Sequence, residues 1–491
     1  MEVIGQGIHI FGEIIVGFVK EQYQTLRGKI KHSKWCHCFK IPFQYSYNPN
    51  DPYQQYPNPI TIQNGIYYQI PNFNMNEINS FNSNNNNINN NFINNYNYNN
   101  NINNNFINNY NYNNNINNNF INNNHNYNNF INQQTNKLAE HLRGLVNIAS
   151  TCYMNSTLQC FAHVKELFAY FQKPKIQQII NLPENDTKLF PVFVELINSM
   201  WEPNDPSPLY PYIFKERLGQ LNPLFQGAMP NDAKDLLTFM LMQLHDELNN
   251  PTNNNNMNQN MIANQNMQKD KKAMFKNFVS FFKDNYKSII SGLFYGLTYN
   301  QTQCQFCHTT VYNYQTFNFL IFPLAQVLNH KMQSVNFQNN FGNNVTLEEC
   351  FQYNQLTTPL NDYYCNYCRK TSTAMYANYI SVLPNIIIII LNRGVGLEHD
   401  VKIDFEENLD LKNYVEYLKE SSFYELIGVV THYGDSGASG HFMARCKSPV
   451  CEDWYLYNDA IVQKIGFFSK EEFFRGHPYI LFYKKTKFGN K

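Results

Sequence analysis

The stretch STCYMNSTLQC, residues 150–160, marks where the folded part of the chain begins. An asparagine-rich region precedes it and an ordinary globular sequence follows it. Leu158, Phe161 and Val164 recur at helical spacing, so the pattern predicts a helix that begins close to Cys152. Thr151 is a suitable N-cap residue for that helix. Because a helix N-terminus carries partial positive charge and lowers the pKa of a thiol, Cys152 is a candidate nucleophile.

The competing interpretation of Cys152 is a buried core cysteine, since most free cysteines lie in cores. That interpretation is preferred for Cys160, which lies among apolar residues two turns later. A nucleophilic cysteine needs a nearby base, and the base needs a group that orients it. Residues far along the chain therefore decide between the two interpretations of Cys152.

The composition excludes some functional classes. The chain has 491 residues, of which 43% are hydrophobic, and its 37 basic residues balance its 37 acidic ones. A neutral balance gives no support for binding nucleic acid or a membrane surface. The N-terminus lacks the features of a secretory signal, and no apolar run reaches the ~18 residues that span a bilayer. These observations predict an intracellular protein in a reducing compartment, in the cytoplasm or the nucleus.

The chain divides by composition. Residues 1–73 form a region of unknown structure, and residues 74–135 repeat asparagine-rich units with a period of 14. Such low-complexity sequence is typical of disorder. A second asparagine-rich tract at residues 249–268 is predicted to be a loop inserted into the fold, because loop closure entropy grows slowly with length. The folded domain is predicted to run from residue 138 to residue 487.

The secondary structure is predicted to be mixed. Residues 232–248, DAKDLLTFMLMQLHDEL, have the pattern of a strong helix with acidic residues in its first turn. Beyond residue 375 the segments are short and rich in β-branched and aromatic residues, and the run IIIIIL at residues 386–391 is typical of a fully buried strand. A helical first half and a β-rich second half predict an α+β domain.

Two histidines of the β-rich half are candidate bases. His432 lies in VTHYGD, and His441 follows three glycines at the start of a predicted strand. Downstream, Asn458 and Asp459 end another predicted strand and are suited to accept the imidazole N–H. Most other histidines, such as His245, are interpreted as solvated surface residues.

Four separate motifs resemble one family. GLVNIASTCYMNSTLQ at residues 144–159 is similar to the cysteine box of the ubiquitin-specific proteases, which are papain-like deubiquitinases. YELIGVVTHYGDSGASGHFMARC, followed by WYLYNDAIV, resembles their histidine box. An acidic helix and two C-x-x-C pairs lie between the boxes, in the order found in the family. The resemblance implies a papain-like cysteine protease fold with a helical thumb, a β-rich palm and zinc-binding β fingers.

The resemblance assigns catalytic roles to individual residues. It implies that Cys152 is the nucleophile, that His441 rather than His432 is the general base, and that the Asn147 amide helps to form the oxyanion hole. Asn458 matches the third member of the triad. Asp459 follows at a position where the family often has an assisting acid, and the division of labour between Asn458 and Asp459 stays open.

The segment PNDAKDLL resembles the acidic box of the family. Asp232 matches its aspartate, Asp235 stands where glutamate is usual, and Asn231 replaces a glutamine. The resemblance implies that these carboxylates bind the arginine-bearing C-terminal tail of ubiquitin. The competing interpretation is a capped helix with an acidic first turn.

One departure from the family pattern concerns the backbone before the nucleophile. The family usually has glycine where this chain has Ala149. Because alanine carries a Cβ atom, a positive φ at Ala149 is expected to be strained.

The two C-x-x-C pairs predict a metal site. Their members are Cys304, Cys307, Cys365 and Cys368. Two such pairs supply four thiolates to one Zn²⁺, provided that the fold brings two hairpins together. The alternative is a thioredoxin-like redox motif, which requires one pair to open a helix, whereas these pairs are predicted to be turns between strands. The resemblance implies that the zinc is structural and that no catalytic cofactor is used.

The expected function is therefore a cysteine-type deubiquitinase. It would hydrolyse the bond after the C-terminal glycine of ubiquitin, with ubiquitin and ubiquitinated proteins as partners and no role for nucleic acid or membranes. The alternative is a catalytically weak relative that binds ubiquitin as a binding or assembly module.

Overall fold

The computed structural model describes most of the chain beyond residue 140. The described residues are 61–63, 66–68, 141–202, 207–251, 267–334, 344–393, 399–417, 421–436, 439–473 and 475–486. The predictions for the repeat at residues 74–135 and for residues 252–266 of the insertion lie outside the described residues. So do most of the residues 1–73, of which only two short strands are described.

The helices lie mainly in the first half of the folded region. They are α1 (Cys152–Ala162), α2 (Lys165–Phe171), α3 (Pro174–Ile180), α4 (Leu189–Met200), α5 (Tyr212–Leu221), α6 (Ala233–Leu248), α7 (Lys271–Asn285), α8 (Ile289–Phe294), α9 (Leu324–Ser334), α10 (Leu347–Asn354) and α11 (Lys470–Phe473). Short 3-10 turns occupy Pro183–Asn185, Pro223–Phe225, Met267–Lys269 and Lys412–Tyr414. Within the described residues, no helix is long and apolar enough to cross a membrane.

The strands follow. They are β1 (Thr61–Gln63), β2 (Ile66–Tyr68), β3 (Gly296–Cys304), β4 (Thr310–Phe317), β5 (Leu320–Pro323), β6 (Asn344–Thr346), β7 (Thr358–Cys365), β8 (Lys370–Val382), β9 (Ile386–Asn392), β10 (Lys402–Asp404), β11 (Asn408–Asp410), β12 (Phe423–Ser436), β13 (Ser439–Lys447), β14 (Trp454–Asn458), β15 (Ile461–Gly466) and β16 (His477–Lys485).

The largest sheet has eight strands. Seven of them follow the order β15-β14-β13-β12-β16-β9-β5, and β11 pairs with β12. A second sheet has the order β4-β3-β8-β7. The predicted helical first half and β-rich second half are confirmed, and the helix predicted at residues 232–248 is α6 with Asp232 at its N-cap.

The isoleucine-rich strand β9 shows why the large sheet is stable. Ile386, Ile388 and Ile390 point into the core that the helices α1–α6 share with one face of the sheet. The alternate residues Ile387 and Ile389 point into a second core on the other face. Side chains alternate between the two faces of a strand, so an uninterrupted apolar run is the sequence of a strand that is covered on both sides.

Helix α1 packs against the same sheet. It contacts β12, β13 and β14, and every residue from Cys152 to Ala162 is buried. The helical pattern continues to residue 171, but α1 ends at Ala162 with His163 as its C-cap, and α2 begins after Val164, whose backbone is extended. A β-branched residue tolerates that extended conformation well. Because α1 packs on β13 and β14, it lies next to the strands that carry His441 and Asn458.

The chain forms two compact units by its contacts. The smaller one contains the segments Gln303–Thr309 and Pro359–Met375, and the larger one contains the other described residues from residue 141 onward. The two C-x-x-C pairs belong to the smaller unit, and every other predicted site residue belongs to the larger one.

Candidate active site and four-cysteine cluster

Cys152 is the first residue of helix α1. Its side chain is buried, with 8% exposed. Thr151 occupies the N-cap position as predicted, but its side chain does not cap the helix. The Thr151 hydroxyl instead accepts a hydrogen bond from the Ile148 N–H at 3.0 Å, and the Thr151 N–H donates to Asn147 Oδ1 at 2.9 Å. These bonds fold the preceding loop back on the start of the helix.

The loop before Cys152 contains two successive residues in the left-handed region. Ala149 has φ 87° and Ser150 has φ 55°. The strained conformation expected at Ala149 is therefore present, and a left-handed residue other than glycine costs about 1–2 kcal/mol. The double turn brings the side chain of Asn147 alongside the backbone N–H of Thr151.

His441 lies at the start of β13, next to the last residue of β14. His441 Nε2 is 2.7 Å from Asn458 Oδ1. An Asn458 carbonyl oxygen can only accept, so His441 carries its proton on Nε2 in the neutral tautomer, and Nδ1 is the nitrogen that remains for a thiol. A hydrogen bond with Cys152 is the main reason why the pKa of His441 is raised to about 9, and the hydrogen bond with Asn458 and the charge of Asp459 raise it further against the effect of burial.

Asp459 joins the cysteine loop to the histidine hairpin. Its Oδ2 accepts from Asn147 Nδ2 at 2.9 Å, and its Oδ1 accepts from Asn155 Nδ2 at 2.8 Å. The same Oδ2 lies 3.8 Å from His441 Nε2. The carbonyl oxygen of Asp459 also accepts from the Leu145 N–H at 2.9 Å. Asn458 is thus the direct partner of the imidazole, and Asp459 is the residue that ties the surrounding segments together.

The contacts of Asp459 revealed a residue that the sequence patterns did not single out. Asn155 lies one turn into α1, is only 2% exposed, and also donates to the Leu145 carbonyl at 3.1 Å. A buried amide needs hydrogen-bond partners. An asparagine in the first turn of a helix that is predicted to be buried could therefore have indicated a polar contact at Asn155.

Asp232 and Asp235 lie at the start of α6. Asp232 Oδ1 accepts from the Lys234 N–H at 2.8 Å, and Oδ2 accepts from the Tyr479 hydroxyl at 2.7 Å. The helix cap, which was the competing interpretation of Asp232, is therefore present. Burial raises the pKa of Asp235, and the nearby charge of Asp232 raises it further.

The neighbours of Cys152 in the chain have polar contacts with distant segments. Before it, Asn147 bonds with Asp459. Directly after it, the Tyr153 hydroxyl accepts from Asn231 Nδ2 at 3.4 Å, and Asn231 is next to Asp232 in the chain. The ring of Tyr479, which bonds with Asp232, packs on Phe442 with 5.6 Å between the ring centroids.

Four other histidines of the described residues are buried: His163, His245, His399 and His432. His432 is 5% exposed, and its ring packs 4.7 Å from Phe442 and 5.5 Å from His399, measured between ring centroids. Burial lowers the pKa of His432 to about 4. The surface interpretation of His245 was wrong: it is 6% exposed, because its imidazole stacks on Tyr286 and Nδ1 bonds with Ser288 Oγ at 2.7 Å.

The four cysteines of the C-x-x-C pairs meet in the smaller unit. Their Sγ atoms all lie within 4.8 Å of one another, with 4.0 Å from Cys304 to Cys368 and 3.7 Å from Cys307 to Cys365. A tetrahedral site with Zn–S bonds of about 2.3 Å has S···S edges of about 3.8 Å, so the thiols fit such an ion. The arrangement can hold a metal ion.

Both cysteine pairs have the same turn. His308 follows the first pair with φ 57° and donates its N–H to the Cys304 carbonyl at 2.9 Å. Arg369 follows the second pair with φ 55° and donates its N–H to the Cys365 carbonyl at 2.8 Å. β3 ends at Cys304 and β7 ends at Cys365. The prediction that both pairs are turns between strands is confirmed, which leaves the thioredoxin-like alternative without the helix that it requires.

Comparisons with known proteins agree on one family. The family described as ubiquitin carboxyl-terminal hydrolase matches residues 143–483. Ubiquitin carboxyl-terminal hydrolase 2 of Rattus norvegicus is 25% identical over 359 residues, which are 71% of this chain and 55% of that protein. The Homo sapiens protein of the same name is 26% identical over 71% of this chain and 56% of its own length. This chain therefore spans little more than half the length of these curated relatives.

A solved structure shares the fold. The SAGA DUB module Ubp8/Sgf11/Sus1/Sgf73 bound to monoubiquitin contains a chain that matches with a TM-score of 0.51 and 22% identity, over 71% of this chain and 70% of that one. The expected α+β, papain-like protease fold is confirmed.

Proposed function

The chain belongs to the ubiquitin carboxyl-terminal hydrolase family, and we propose that it is a thiol-dependent deubiquitinase that hydrolyses the bond after the C-terminal glycine of ubiquitin in ubiquitin–protein conjugates. The observation that carries this proposal is the position of His441, whose Nε2 bonds with Asn458 Oδ1 at 2.7 Å and whose pKa is raised to about 9 mainly by its interaction with Cys152. A thiol, a base and an amide that orients the base, in this order, form the catalytic triad of a cysteine protease.

The proposed reaction has two steps. In the first, Cys152 Sγ attacks the carbonyl carbon of the terminal glycine while His441 holds the thiol proton. His441 then donates that proton to the lysine nitrogen as the C–N bond breaks, and the amine leaves. In the second step, water adds to the thioester and gives a proton to His441 Nδ1. The C–S bond breaks, the proton returns to the sulfur, and free ubiquitin is released.

Asn147 is proposed to stabilise the tetrahedral oxyanion. Its amide has two N–H groups, and the bond to Asp459 Oδ2 uses one of them. The bond that Asn147 Oδ1 accepts from Thr151 holds the amide in a fixed orientation. A donor that is oriented before the reaction stabilises developing charge without reorganisation.

Asn458 and Asp459 are proposed to have different roles. Asn458 is the third triad member, because its amide oxygen holds the Nε2–H of His441. Asp459 is a positioning residue that holds Asn147 and contributes negative charge near the imidazolium. This division would explain why a neutral orienting residue suffices: the adjacent carboxylate supplies the charge that an asparagine lacks.

Asp232 is proposed to bind the basic tail of ubiquitin while it caps α6. A carboxylate offers about four lone-pair sites, so the bonds from Lys234 and Tyr479 leave capacity for a guanidinium. Asp235 is proposed to contribute less as a charge, since burial raises its pKa.

The four-cysteine cluster is proposed to hold a structural Zn²⁺ through Cys304, Cys307, Cys365 and Cys368. The ion would crosslink the two turns and take no part in the reaction, which needs no catalytic cofactor. Zinc-binding thiolates and a nucleophilic thiol both require reducing conditions, so we propose that the protein works inside the cell, in the cytoplasm or the nucleus.

The test is cleavage of ubiquitin that is linked by an isopeptide bond to a lysine-containing peptide. Wild-type protein is expected to release the peptide, and Cys152→Ala is expected to release none. Cys451→Ala is the matched control, because Cys451 is a half-buried cysteine outside the site and its loss should leave the rate unchanged. Binding of ubiquitin without cleavage by folded wild-type protein would favour the alternative of a binding module and contradict the proposed enzyme.

A further inference from the structure

A buried lysine contacts the residue that follows Cys152. Lys215, on α5, is only 9% exposed. Its ammonium donates to the Tyr153 hydroxyl at 3.3 Å and to the Phe225 carbonyl. Both partners are neutral, and burial lowers the pKa of Lys215. Lysine is almost never buried unless it is paired, because removing its charge from water is costly. The ammonium is therefore retained at a cost in stability, which points to a function.

The ammonium ties together both ends of one exposed loop. Residues 226–230 are all exposed. Phe225, which precedes this loop, is buried, and its carbonyl accepts from Lys215. Asn231, which follows the loop, donates through Nδ2 to the Tyr153 hydroxyl at 3.4 Å. Lys215 thus contacts one end of the loop directly and the other end through Tyr153.

The loop has little packing of its own. Met229 is 57% exposed, and a Cβ atom built on Gly227 would have no other atom within 4 Å. The Met229 carbonyl accepts from Asn231 Nδ2 at 3.1 Å, so the amide at the end of the loop also holds its middle. Because a loop with few buried contacts is held mainly where it is anchored, its position depends on Phe225 and Asn231.

The anchored end of the loop leads directly into the acidic residues of α6. Asn231 precedes Asp232, which caps that helix. Tyr153, whose hydroxyl binds Asn231, is the second residue of α1 and follows Cys152. This hydroxyl therefore connects the helix of the proposed nucleophile with the segment that carries Asp232. A carboxylate that binds a guanidinium has to be held in place, because such bonds are directional.

We propose that Lys215 is a positioning residue that fixes the Tyr153 hydroxyl and both ends of the loop 226–230, and thereby holds Asp232 where it binds the basic tail of ubiquitin. This proposal rests on the deubiquitinase function and on the role of Asp232 proposed above. The bond between Asp232 and the tail is present before and during the reaction. Loss of Lys215 should therefore weaken substrate binding and raise KM, with little effect on kcat.

The test is a kinetic comparison on ubiquitin with a fluorophore amide at its C-terminus. Lys215→Met keeps the aliphatic stem and removes the ammonium. It is expected to raise KM about tenfold, the effect of losing one hydrogen bond to a charged group, while kcat stays within about twofold of wild type. KM does not depend on the fraction of protein that is folded, so a merely structural role of Lys215 would leave KM unchanged.

The matched control is Arg217→Met. Arg217 is a half-buried cation on the same helix, but its guanidinium donates to the Lys188 carbonyl at 2.6 Å and to Gln220 at 3.2 Å. Its loss removes a positive charge from α5 without touching the Tyr153 hydroxyl. Neither KM nor kcat should change.

A double-variant cycle tests whether Lys215 acts through Asp232. Asp232→Asn removes the charge but keeps a residue that caps helices well, and it should raise KM by itself. In the Asp232→Asn background, Lys215→Met should raise KM little further, because the carboxylate that it positions is already absent. Tyr153→Phe removes the hydroxyl that Lys215 and Asn231 share, so it should also raise KM, and it replaces Lys215→Met if that variant does not fold.

Four results would overturn the proposal. Effects of Lys215→Met and Asp232→Asn on KM that multiply would mean that Lys215 supports binding independently of Asp232. A fall in kcat with unchanged KM would place its effect on the chemical step. Wild-type kinetics in both Lys215→Met and Tyr153→Phe would mean that these groups position nothing. A wild-type KM in Asp232→Asn would remove the residue that Lys215 is proposed to hold. If wild-type protein does not cleave the substrate, the proposed function fails first, and that outcome is distinct from the other four.

Discussion

At the scale of single residues, Asp459 links more parts of the site than any member of the proposed triad does. Its carboxylate accepts from Asn147 and Asn155, which lie on either side of Cys152 in the chain, and it approaches His441. Its backbone has φ 52° in the turn between β14 and β15, so the main chain is also bent to aim this side chain. The rate of the reaction should therefore depend on Asp459 although Asn458 makes the shorter contact with the imidazole.

Asp459→Asn is predicted to lower kcat/KM by about 10- to 100-fold, the equivalent of losing one hydrogen bond to a charged group. The new amide group would have to point its N–H at one of the two asparagine amides, and two donors would then face each other. Asp404→Asn is the control, since Asp404 forms an exposed ion pair with Lys470 and such pairs contribute little. An Asp459→Asn enzyme with wild-type kcat/KM would contradict the positioning role.

His441 predicts a dependence on pH. Its pKa is raised to about 9 from the ordinary 6.5, so the imidazolium is the main form at neutral pH. The imidazolium is the form that donates a proton to the leaving amine, and kcat/KM is therefore predicted to fall as the pH rises through about 9. The measurement is a pH profile of kcat/KM with ubiquitin amide substrate.

The same shift predicts a change in stability. A raised pKa in the folded state contributes stability that is complete below about pH 6.5 and lost as the pH rises through about 9. Wild-type protein should have a larger free energy of unfolding than His441→Gln at low pH. This difference should decrease as the pH rises from about 6.5 to about 9. A difference that stays constant, or an alkaline limb of kcat/KM close to pH 6.5, would contradict the hydrogen-bonded imidazolium.

The residues of the site differ in how far sequence could predict them. The motifs indicated Cys152, His441 and Asn458, and the alanine before the nucleophile indicated a strained turn that the structure contains at φ 87°. Asn155 and Tyr479 were not anticipated, because their roles depend on contacts with residues about 250 to 300 positions away in sequence. No local pattern carries that information.

At the scale of elements, the hairpin of β12 and β13 presents His441. Gly440 precedes it, and a Cβ atom built on Gly440 would lie 2.3 Å from the Tyr433 carbonyl and 2.4 Å from His432 Nε2. The two strands pair Tyr433 with His441, so any shift at Gly440 moves His441, the proposed base. Position 440 therefore requires glycine, because the Tyr433 carbonyl and the buried His432 ring leave no room for a Cβ atom.

Gly440→Ala is predicted to lower kcat/KM by about 10- to 100-fold, because the added methyl group must displace His441 from Cys152. Gly466→Ala is the control. Gly466 has φ +79°, so alanine is strained there, but open space surrounds the position and the active site is untouched. Unfolding free energies of both variants separate misfolding from displacement. A Gly440→Ala enzyme that folds and cleaves like wild type would show that the hairpin does not fix the base.

The two cysteine turns predict a metal dependence of stability. The four thiols lie within 4.8 Å of one another, so an ion bound to all four would hold the two turns together. Purified protein is predicted to contain one zinc per chain, measured by elemental analysis, and to lose several degrees of melting temperature when a chelator removes it.

Cys368→Ser is predicted to reduce the zinc content to a small fraction of one per chain, whereas Cys451→Ser, which changes a cysteine outside the cluster, should leave it unchanged. Full zinc content in Cys368→Ser, or none in wild type, would refute the assignment of the cluster as a zinc site.

At the scale of the whole molecule, the sequence patterns predicted the fold class better than its connections. The alternation of buried positions in β9 and the apolar side of α6 were predictable, because local periodicity determines which face of an element is buried. The order of strands in the large sheet was not, since pairing of β16 between β12 and β9 depends on contacts that no single segment encodes. The spacing of the four cysteines predicted one shared site, provided that the fold brings the two hairpins together.

The central claim is that Cys152 is the nucleophile of an enzyme that acts on ubiquitin. The most direct test is reaction of the full chain with ubiquitin that carries an electrophile at its C-terminus, followed by mass spectrometry of the modified peptide. The account predicts one covalent adduct per chain, attached to Cys152, and no adduct with Cys152→Ala. An adduct on another cysteine, or none with folded, zinc-loaded wild-type protein, would contradict it.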